Sequence, residues 1–404
     1  MSRYHRLLLA LLSSVVVFEG FDASVTNVVV PLIGKEFGAG PAELGGALSL
    51  VSLGAVAAFF TIRLADRIGR RRMLLLSVLG FSAFSLATAF AQSLQHFVVL
   101  QLGARICLVT QLSSAYILLS ESLSAEARGR ANGLMAAFAS LGSAIPAMML
   151  HTVESYGHDW RALFVIGAAP LLLLPLLWRY VREPDVYLAA RQQGIRAPSI
   201  VSQLRTFLQP RLRVRFFVMS TLWFAISFWT AATYFFFTYY VFEQRGWTSA
   251  DLQLVAPVAL VAAFAGYTFA GWLMDRIGRR PATAVLLAAS IPATLLCYQS
   301  TAFWAVAGGW VLLQAMLGIW AIAHVVNSEL FPTEVRAAAN GLCENLIGRW
   351  GFVLGPAVVG VLADALGGVH NAVTALVSVN LAILPLVWWA LPETRHADLQ
   401  RVQS

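Results

Sequence analysis

Two short charged segments occur twice in this chain of 404 residues, in the same order and about half the chain apart. The segment Leu-Ala-Asp66-Arg-Ile-Gly-Arg-Arg returns as Leu-Met-Asp275-Arg-Ile-Gly-Arg-Arg, an offset of 209 residues. A second segment begins at Glu121 and returns at Glu329, an offset of 208 residues. Two nearly equal offsets indicate one duplicated unit, because chance matches would not keep the same spacing. The chain must therefore fold into two similar halves.

The stretches between these charged segments are apolar. Hydrophobic residues make up 59% of the chain and charged residues 12%, a balance that a soluble domain of this length would not need. Because a spanning helix takes about 20 apolar residues, the stretches mark twelve spans. The sequence predicts an all-α membrane protein with twelve transmembrane helices in two pseudo-symmetric six-helix bundles, at 1–182 and 215–404, joined by a cytoplasmic linker at 183–214. Such internal symmetry is typical of secondary transporters.

The positions of the basic residues predict the orientation of the chain. A net charge of +8 would also suit a nucleic-acid-binding protein. However, 23 of the 28 Lys and Arg fall in the two tails and in the loops on one side of the predicted membrane. By the positive-inside rule we expect both termini to be cytoplasmic. We also expect a multi-pass protein of the cell inner membrane. Nucleic acid is not an expected partner.

The linker has one segment with helical character. Residues 185–193 could form a short interfacial helix with Tyr187 and Leu188 turned toward the lipid. The alternative is a solvated linker whose basic charge reflects topology alone.

The repeated loops carry a resemblance to a known family over essentially the whole chain. The residues from Gly271 to Arg280 resemble the Gly-x-Leu-Ala-Asp-Arg-x-Gly-Arg-Arg signature of the major facilitator superfamily, and the first copy has Ile62 in place of the leading glycine. The segments that begin at Glu121 and Glu329 resemble the second loop signature of that family. The resemblance implies the major facilitator fold.

The resemblance also implies a role for the loop charges. Asp66 with Arg128, and Asp275 with Arg336, are expected to hold cytoplasmic helix ends together in the outward-open state. The alternative reading is that the basic residues only signal topology. The expected gating residues are Asp66, Arg70, Glu121, Arg128, Asp275, Arg279, Glu329 and Arg336.

Within the superfamily, the first span points to one group. Glu19-Gly20-Phe21-Asp22 resembles the Asp-Gly-x-Asp motif of aromatic-acid:proton symporters, and the tails that contain Glu183 and Glu393 resemble those of sugar and organic-anion porters. The resemblance implies proton-coupled symport of a small organic anion, such as an aromatic carboxylate. Two rivals stay open: a proton-coupled exporter of drugs or metabolites, and a non-transporting membrane sensor.

Charges at membrane depth are costly and often mark a pathway. Glu19 and Asp22 lie one helical turn apart on one face, and two acids so close in a low-dielectric site cannot easily both be ionised, so one of them is expected to carry a proton. Arginine binds a carboxylate through two parallel donors. We expect Glu19, Asp22 and Glu344 to couple protons, and Arg105 and Arg349 to hold the substrate's charge. The alternative is permanent ion pairing of Arg105 with the two acids, and of Arg349 with Glu344.

Polar and aromatic residues also follow one face of span seven and of span ten. They are expected to line a ligand cavity, while packing between helices is the alternative for each of them. His324 could instead relay protons or simply satisfy a neighbour. The expected substrate-binding residues, beside the two arginines, are Gln111, Trp223, Ser227, Thr230, Tyr234, Trp310, Gln314 and His324.

Enzyme chemistry is not expected. The chain has no Gly-Lys-Ser/Thr phosphate loop, and no His, Cys and carboxylate cluster has metal-ligand spacing. The sequence therefore predicts a monomer in the lipid bilayer, without cofactor or metal ion, whose partners are a small organic anion and protons.

Overall fold

The computed structural model describes residues 3–193 and 199–394. Residues 194–198 of the predicted linker and 395–404 of the predicted second domain lie outside the described residues. Within the described part, twelve helices are long and apolar enough to cross a membrane, and no strand is found. The predicted all-α fold is confirmed. The spans, numbered in chain order, are Arg3–Phe37, Pro41–Ile68, Arg70–Thr88, Leu94–Ser122, Ala127–Ser155, Arg161–Tyr180, Arg213–Gln244, Ser249–Ile277, Arg279–Gln299, Phe303–Leu330, Glu334–Ala365 and Val369–Ala390.

Four spans are interrupted. Span 6 is interrupted before Pro170, because proline has no backbone N–H to donate to the carbonyl oxygen one turn earlier. Span 10 is made of Phe303–Met316 and Ile319–Leu330. Spans 7 and 11 contain π-helical segments, Tyr240–Gln244 and Gly341–Gly348. Such segments are rare and occur frequently at functional sites.

The linker contains two short helices, Asp185–Gln192 and Ile200–Phe207. The first confirms the helix expected near residue 185, but its predicted orientation is wrong for Tyr187. That ring is buried, and the guanidinium carbon of Arg70 lies 4.7 Å from its centroid. A cation over an aromatic face is attractive, so Tyr187 packs against the protein. Leu188 is exposed.

The chain forms two compact units. The first is built from residues 1–38, 50–197 and 249–253, and the second from 39–49, 198–248 and 254–404, as far as these ranges are described. In the first unit span 1 packs against span 5, and span 3 against span 4. In the second unit span 7 packs against span 11, and span 9 against spans 10 and 12. Helices satisfy their own backbone groups, which lipid requires.

A glutamate carboxylate caps the first backbone amides of span 3 and of span 9. The carboxylate of Glu393 accepts the backbone N–H of Arg279 at 2.9 Å and of Arg280 at 3.0 Å. Glu183 accepts the N–H of Arg70 and of Arg71 in the same way. A carboxylate at a helix N-terminus satisfies free amides and matches the helix dipole. The duplication therefore includes the two tails that follow spans 6 and 12.

Glycine is required where each carboxylate binds. Gly69 and Gly278 precede the capped amides and have φ of 114° and 97°. With ψ of 149° and 165° they occupy a region that is essentially restricted to glycine. A Cβ on Gly278 would also lie 2.5 Å from Oε2 of Glu393.

We expect Gly278→Ala to destabilise the protein by about 1–3 kcal/mol, the cost of this backbone conformation for a residue with a side chain. Gly271→Ala is the matched control, because a Cβ at Gly271 meets no atom within 4 Å. The measurement is thermal unfolding of the purified protein in detergent. Equal melting temperatures for the two variants would contradict the role of the positive φ.

Candidate functional site

Asp22 is the buried acid of the first unit. Its side chain is 1% exposed, and the hydroxyl of Ser85 lies 3.3 Å from Oδ1 and 3.2 Å from the carbonyl oxygen of Phe164. Oδ2 is buried and, within the described residues, has no hydrogen-bond partner. Arg105 on span 4 interacts electrostatically with this carboxylate. A buried carboxylate oxygen left without a donor is costly, so Asp22 occupies a site that can hold a proton.

Gly20 lets span 1 approach span 5 closely, two residues before Asp22. A Cβ at Gly20 would collide with the backbone oxygen of Ala139 on span 5. The glycine between the two acids therefore permits the close crossing of spans 1 and 5. Asp22 is buried on span 1, while Glu19 is only half-buried and has its charge near Tyr116 of span 4. The two acids lie on one helix but in different environments.

A buried polar network lies one turn along span 1 from Asp22. Thr26 donates to Oε1 of Gln101 at 3.1 Å, and Nε2 of Gln101 donates to Thr88 at 3.0 Å. All three side chains are buried. Gln101 and Thr88 were missed from the sequence, because each is a single polar residue on a different helix. The network links spans 1, 3 and 4 around the acid.

Gln111, expected to bind substrate, is fully buried in the first unit. Its Nε2 donates to the backbone oxygen of Val15 at 3.3 Å, which joins span 4 to span 1. The amide nitrogen is therefore used within the unit.

The polar stripe of span 7 faces other helices of the second unit. Trp223, Ser227 and Thr230 are buried. Thr230 accepts a hydrogen bond from Nε1 of Trp320 at 3.3 Å, and the hydroxyl of Tyr234 donates to the backbone oxygen of Leu313. In this structure the stripe packs and hydrogen-bonds between helices, and the expected cavity-lining role stays a prediction.

The three predicted binding residues of span 10 differ in exposure. Trp310 is buried and its ring stacks on Phe237, with centroids 3.6 Å apart and planes 3° from parallel. Gln314, one turn later, is half-buried. His324 is the most open of the three, with a side chain that is 50% exposed.

His324 has an acidic neighbour. Its Nδ1 lies 3.6 Å from Oε2 of Glu344, which is on the π-helical segment of span 11. Its ring centroid lies 4.8 Å from that of Trp223. His324 therefore has an acidic neighbour on another helix, which agrees with the alternative that it satisfies a neighbour. Arg349, five residues beyond Glu344, donates from Nε to Oδ1 of Asn345 at 3.0 Å.

The loop charges form two matching networks. In the first unit Arg70 contacts Asp66 at 2.7 Å and Glu121 at 3.3 Å. In the second, Arg279 contacts Glu329 at 2.9 Å and Asp275 at 3.5 Å. One arginine in each unit thus joins two acids from different segments of the duplicated motif.

The arginines of the second loop motif have other partners. Arg128 donates to the backbone oxygen of Leu123 at 3.3 Å, and Arg336 to that of Phe331 at 3.4 Å. The expected pairs Asp66–Arg128 and Asp275–Arg336 are not formed in this structure, and their role in the outward-open state stays a prediction. Each aspartate pairs instead with an arginine four residues along the chain, across the turn that Gly69 or Gly278 makes between two spans.

We expect Glu329→Gln to destabilise the protein by roughly 1–2 kcal/mol, because its carboxylate is 17% exposed and accepts hydrogen bonds from Arg279 and Thr394. Asp275→Asn is the matched variant and should change stability little, since Asp275 is 73% exposed and such ion pairs are screened by water. Thermal unfolding of both variants checks the difference. A larger effect of Asp275→Asn would refute this ranking.

Comparison with known proteins identifies relatives along the whole chain. A family model described as Major Facilitator Superfamily matches residues 12–241 and 230–403. The niacin transporter NiaP of Acinetobacter baylyi is 25% identical over 99% of this chain and 97% of its own length. The gallate transporter of Pseudomonas putida is 28% identical over 90% of this chain and 87% of its own.

Solved structures show the same fold. A crystal structure of a bacterial homologue of the human lysosomal transporter Spinster matches with a TM-score of 0.80 at 18% identity, and covers 96% of this chain and 97% of that one.

Proposed function

This chain belongs to the Major Facilitator Superfamily, and we propose that it is a proton-coupled symporter that takes up a small aromatic carboxylate by alternating access. It is a multi-pass membrane transporter and not an enzyme. The substrates in the relatives' names, niacin and gallate, support the choice of ligand, because both are aromatic rings that carry one carboxylate.

The proposal includes the orientation of the chain. We place it in the inner membrane with both termini in the cytoplasm, because Lys and Arg are concentrated in the tails and in the loops of one side. In this proposal the chain consists of two bundles, 1–182 and 215–404, and a linker at 183–214. The protein acts as a monomer in this proposal.

The observation that carries the proposal is the buried carboxylate of Asp22 within reach of the charge of Arg105. When Asp22 is ionised, its charge compensates that of Arg105. When Asp22 binds a proton, its charge no longer offsets that of Arg105, and the guanidinium attracts a substrate carboxylate more strongly. Both the empty and the doubly loaded site are then electrically balanced.

This charge balance couples the two fluxes. Binding the proton alone, or the anion alone, leaves one uncompensated charge at membrane depth, which is costly. The change between outward-open and inward-open states is therefore allowed only when both ligands are bound or both are absent. Glu19, which is half-buried, is positioned to exchange protons with Asp22 across one helical turn.

We assign gating to the two loop networks. Arg70 and Arg279 each hold together acids from two segments, so their contacts are suited to being made in one state and broken in the other. In the second unit, Arg349 and Glu344 supply further charge for substrate and proton.

A ligand screen tests the substrate class. Purified protein is heated with aromatic carboxylates, aliphatic carboxylates and aromatic amides. A ligand present at a hundred times its dissociation constant should stabilise the protein by about 2.7 kcal/mol. Stabilisation by aromatic acids and not by their amides supports the proposal. Stabilisation by none of the acids would refute it.

We expect Asp22→Asn to abolish proton-driven accumulation and to retain substrate counterflow, since asparagine resembles the protonated acid and exchange does not require the proton to leave. Transport of labelled substrate into proteoliposomes measures both activities. Asp364→Asn, at an exposed position, is the control. Equal loss of accumulation and counterflow would contradict a role for Asp22 in coupling.

We expect Arg105→Lys to weaken binding of the aromatic acid by about tenfold or more, because an ammonium keeps the charge but loses the planar pair of donors. Binding of the uncharged amide should change much less. Calorimetric titration of both ligands, with exposed Arg213→Lys as control, provides the comparison. Parallel losses for acid and amide would exclude the anion-binding role.

A further inference from the structure

Each unit carries an arginine over an exposed tryptophan ring. The guanidinium carbon of Arg71 lies 5.3 Å from the ring centroid of Trp178, and that of Arg280 lies 5.0 Å from the ring centroid of Trp388. The two tryptophans are 65% and 49% exposed. Arg280 follows Arg71 by 209 residues and Trp388 follows Trp178 by 210, so the pair belongs to the duplicated unit. We call these two pairs the arginine–tryptophan sites.

The positive charge of each site is not used by the loop networks. Arg70 and Arg279, one residue earlier, each contact two acids. In the part of the chain that the structure describes, neither Arg71 nor Arg280 forms an ion pair with a carboxylate. The guanidinium of Arg71 donates to the backbone oxygen of Trp178. A ring face attracts a cation but does not neutralise it, so each site keeps a net positive charge.

Both sites lie at the ends of membrane spans. Arg71 and Arg280 are the second residues of spans 3 and 9, and their backbone amides are capped by glutamates. Trp178 and Trp388 lie two residues, about 3 Å, before the ends of spans 6 and 12. In the orientation proposed above these ends are cytoplasmic. Tryptophan is enriched at this boundary between lipid and water, where the phosphate groups of the lipids lie.

The two side chains of a site match the two parts of a phospholipid headgroup. A guanidinium binds phosphate oxygens through parallel donors. The exposed tryptophan ring offers an apolar surface beside it, which suits glycerol and the first acyl carbons but gives nothing to inorganic phosphate. Basic pockets on the cytoplasmic side of membrane proteins bind anionic lipid headgroups. A zwitterionic lipid fits less well, because its own cation already offsets the phosphate.

We propose that each arginine–tryptophan site binds the headgroup phosphate of an anionic phospholipid in the cytoplasmic leaflet. The protein thus holds two such lipids, one on each unit. Arg71 and Arg280 receive the phosphate, and Trp178 and Trp388 contact the apolar part of the lipid next to it. This assignment is independent of the transported substrate.

Calorimetric titration of the purified full chain in detergent tests the sites. The probes are dihexanoyl phosphatidylglycerol, dihexanoyl phosphatidylcholine and inorganic phosphate. Phosphatidylglycerol should bind at two sites per chain, about fivefold more tightly than phosphatidylcholine, which is the effect of one charge next to a basic residue at a membrane surface. Phosphatidylcholine also measures partition into the detergent micelle. Inorganic phosphate should bind more weakly than phosphatidylglycerol.

Single substitutions should remove one site at a time. Arg280→Gln and Arg71→Gln should each lower the number of phosphatidylglycerol sites from two to one, and the double variant should have none. Arg213→Gln is the matched control and should keep both sites, because Arg213 is an exposed arginine at the start of span 7 without an aromatic ring beneath it in the described residues. Trp388→Leu keeps both arginines and should weaken one site.

The opposite results would overturn the lipid sites. Equal binding of the two lipids, or two full sites remaining in Arg280→Gln, contradicts the role of the arginine. Phosphate that binds as tightly as phosphatidylglycerol shows a site for free anions in place of a lipid site. Thermal unfolding verifies that each variant is folded. If one glutamine variant fails to fold, the other decides together with Trp388→Leu, because each of them must affect one site.

Discussion

The burial of the Asp22 carboxylate, on which the charge of Arg105 acts, is the constraint around which the polar groups of the first unit are arranged. Neither charge is stable at membrane depth without compensation. The surrounding helices are arranged to keep the acid buried: Gly20 lets span 1 approach span 5, and Ser85 reaches the carboxylate from span 3. The Thr26–Gln101–Thr88 network fixes the three helices one turn away. Binding of a proton or an anion therefore changes the net charge around Asp22 and Arg105, and side-chain packing alone cannot compensate for that change.

In the structure the sequence duplication gives the same contacts at the helix ends of both units, but different polar residues inside them. Glu183 and Glu393 close the starts of spans 3 and 9, and Arg70 and Arg279 join matching acids. Away from these ends the two units differ. The first buries the carboxylate of Asp22 beside the hydroxyl of Ser85, and the second places His324 beside the ring of Trp223. The two units therefore share their helix ends and differ in the polar groups of their interiors.

The fold could be predicted from the sequence because composition and repeat spacing are properties of consecutive residues. Twelve apolar runs predict twelve spans, and two nearly equal offsets predict a repeat. Glu19 and Asp22 were found because a charge inside an apolar run is conspicuous. Side-chain partners across helices were harder to predict. Periodicity placed Trp223, Ser227 and Thr230 on one face, but it could not show that this face packs against spans 10 and 11. The pairing of His324 with Glu344 was missed for the same reason, as was Tyr187 beneath Arg70. The partner of a side chain on another helix depends on how the helices pack, and a single sequence does not show that packing.

The central claim is that proton and anion cross together, and the most direct measurement is proton movement driven by substrate alone. Proteoliposomes with a pH-sensitive dye inside and no imposed pH gradient receive 4-hydroxybenzoate on the outside, with protein-free liposomes as control for passive permeation. The account predicts acidification of the lumen, faster than in the control, because each anion enters with a proton. Alkalinisation would indicate exchange of substrate for protons, and labelled substrate entering without a change in dye signal would show uncoupled transport. Either result would contradict the charge balance between Asp22 and Arg105 as the basis of coupling.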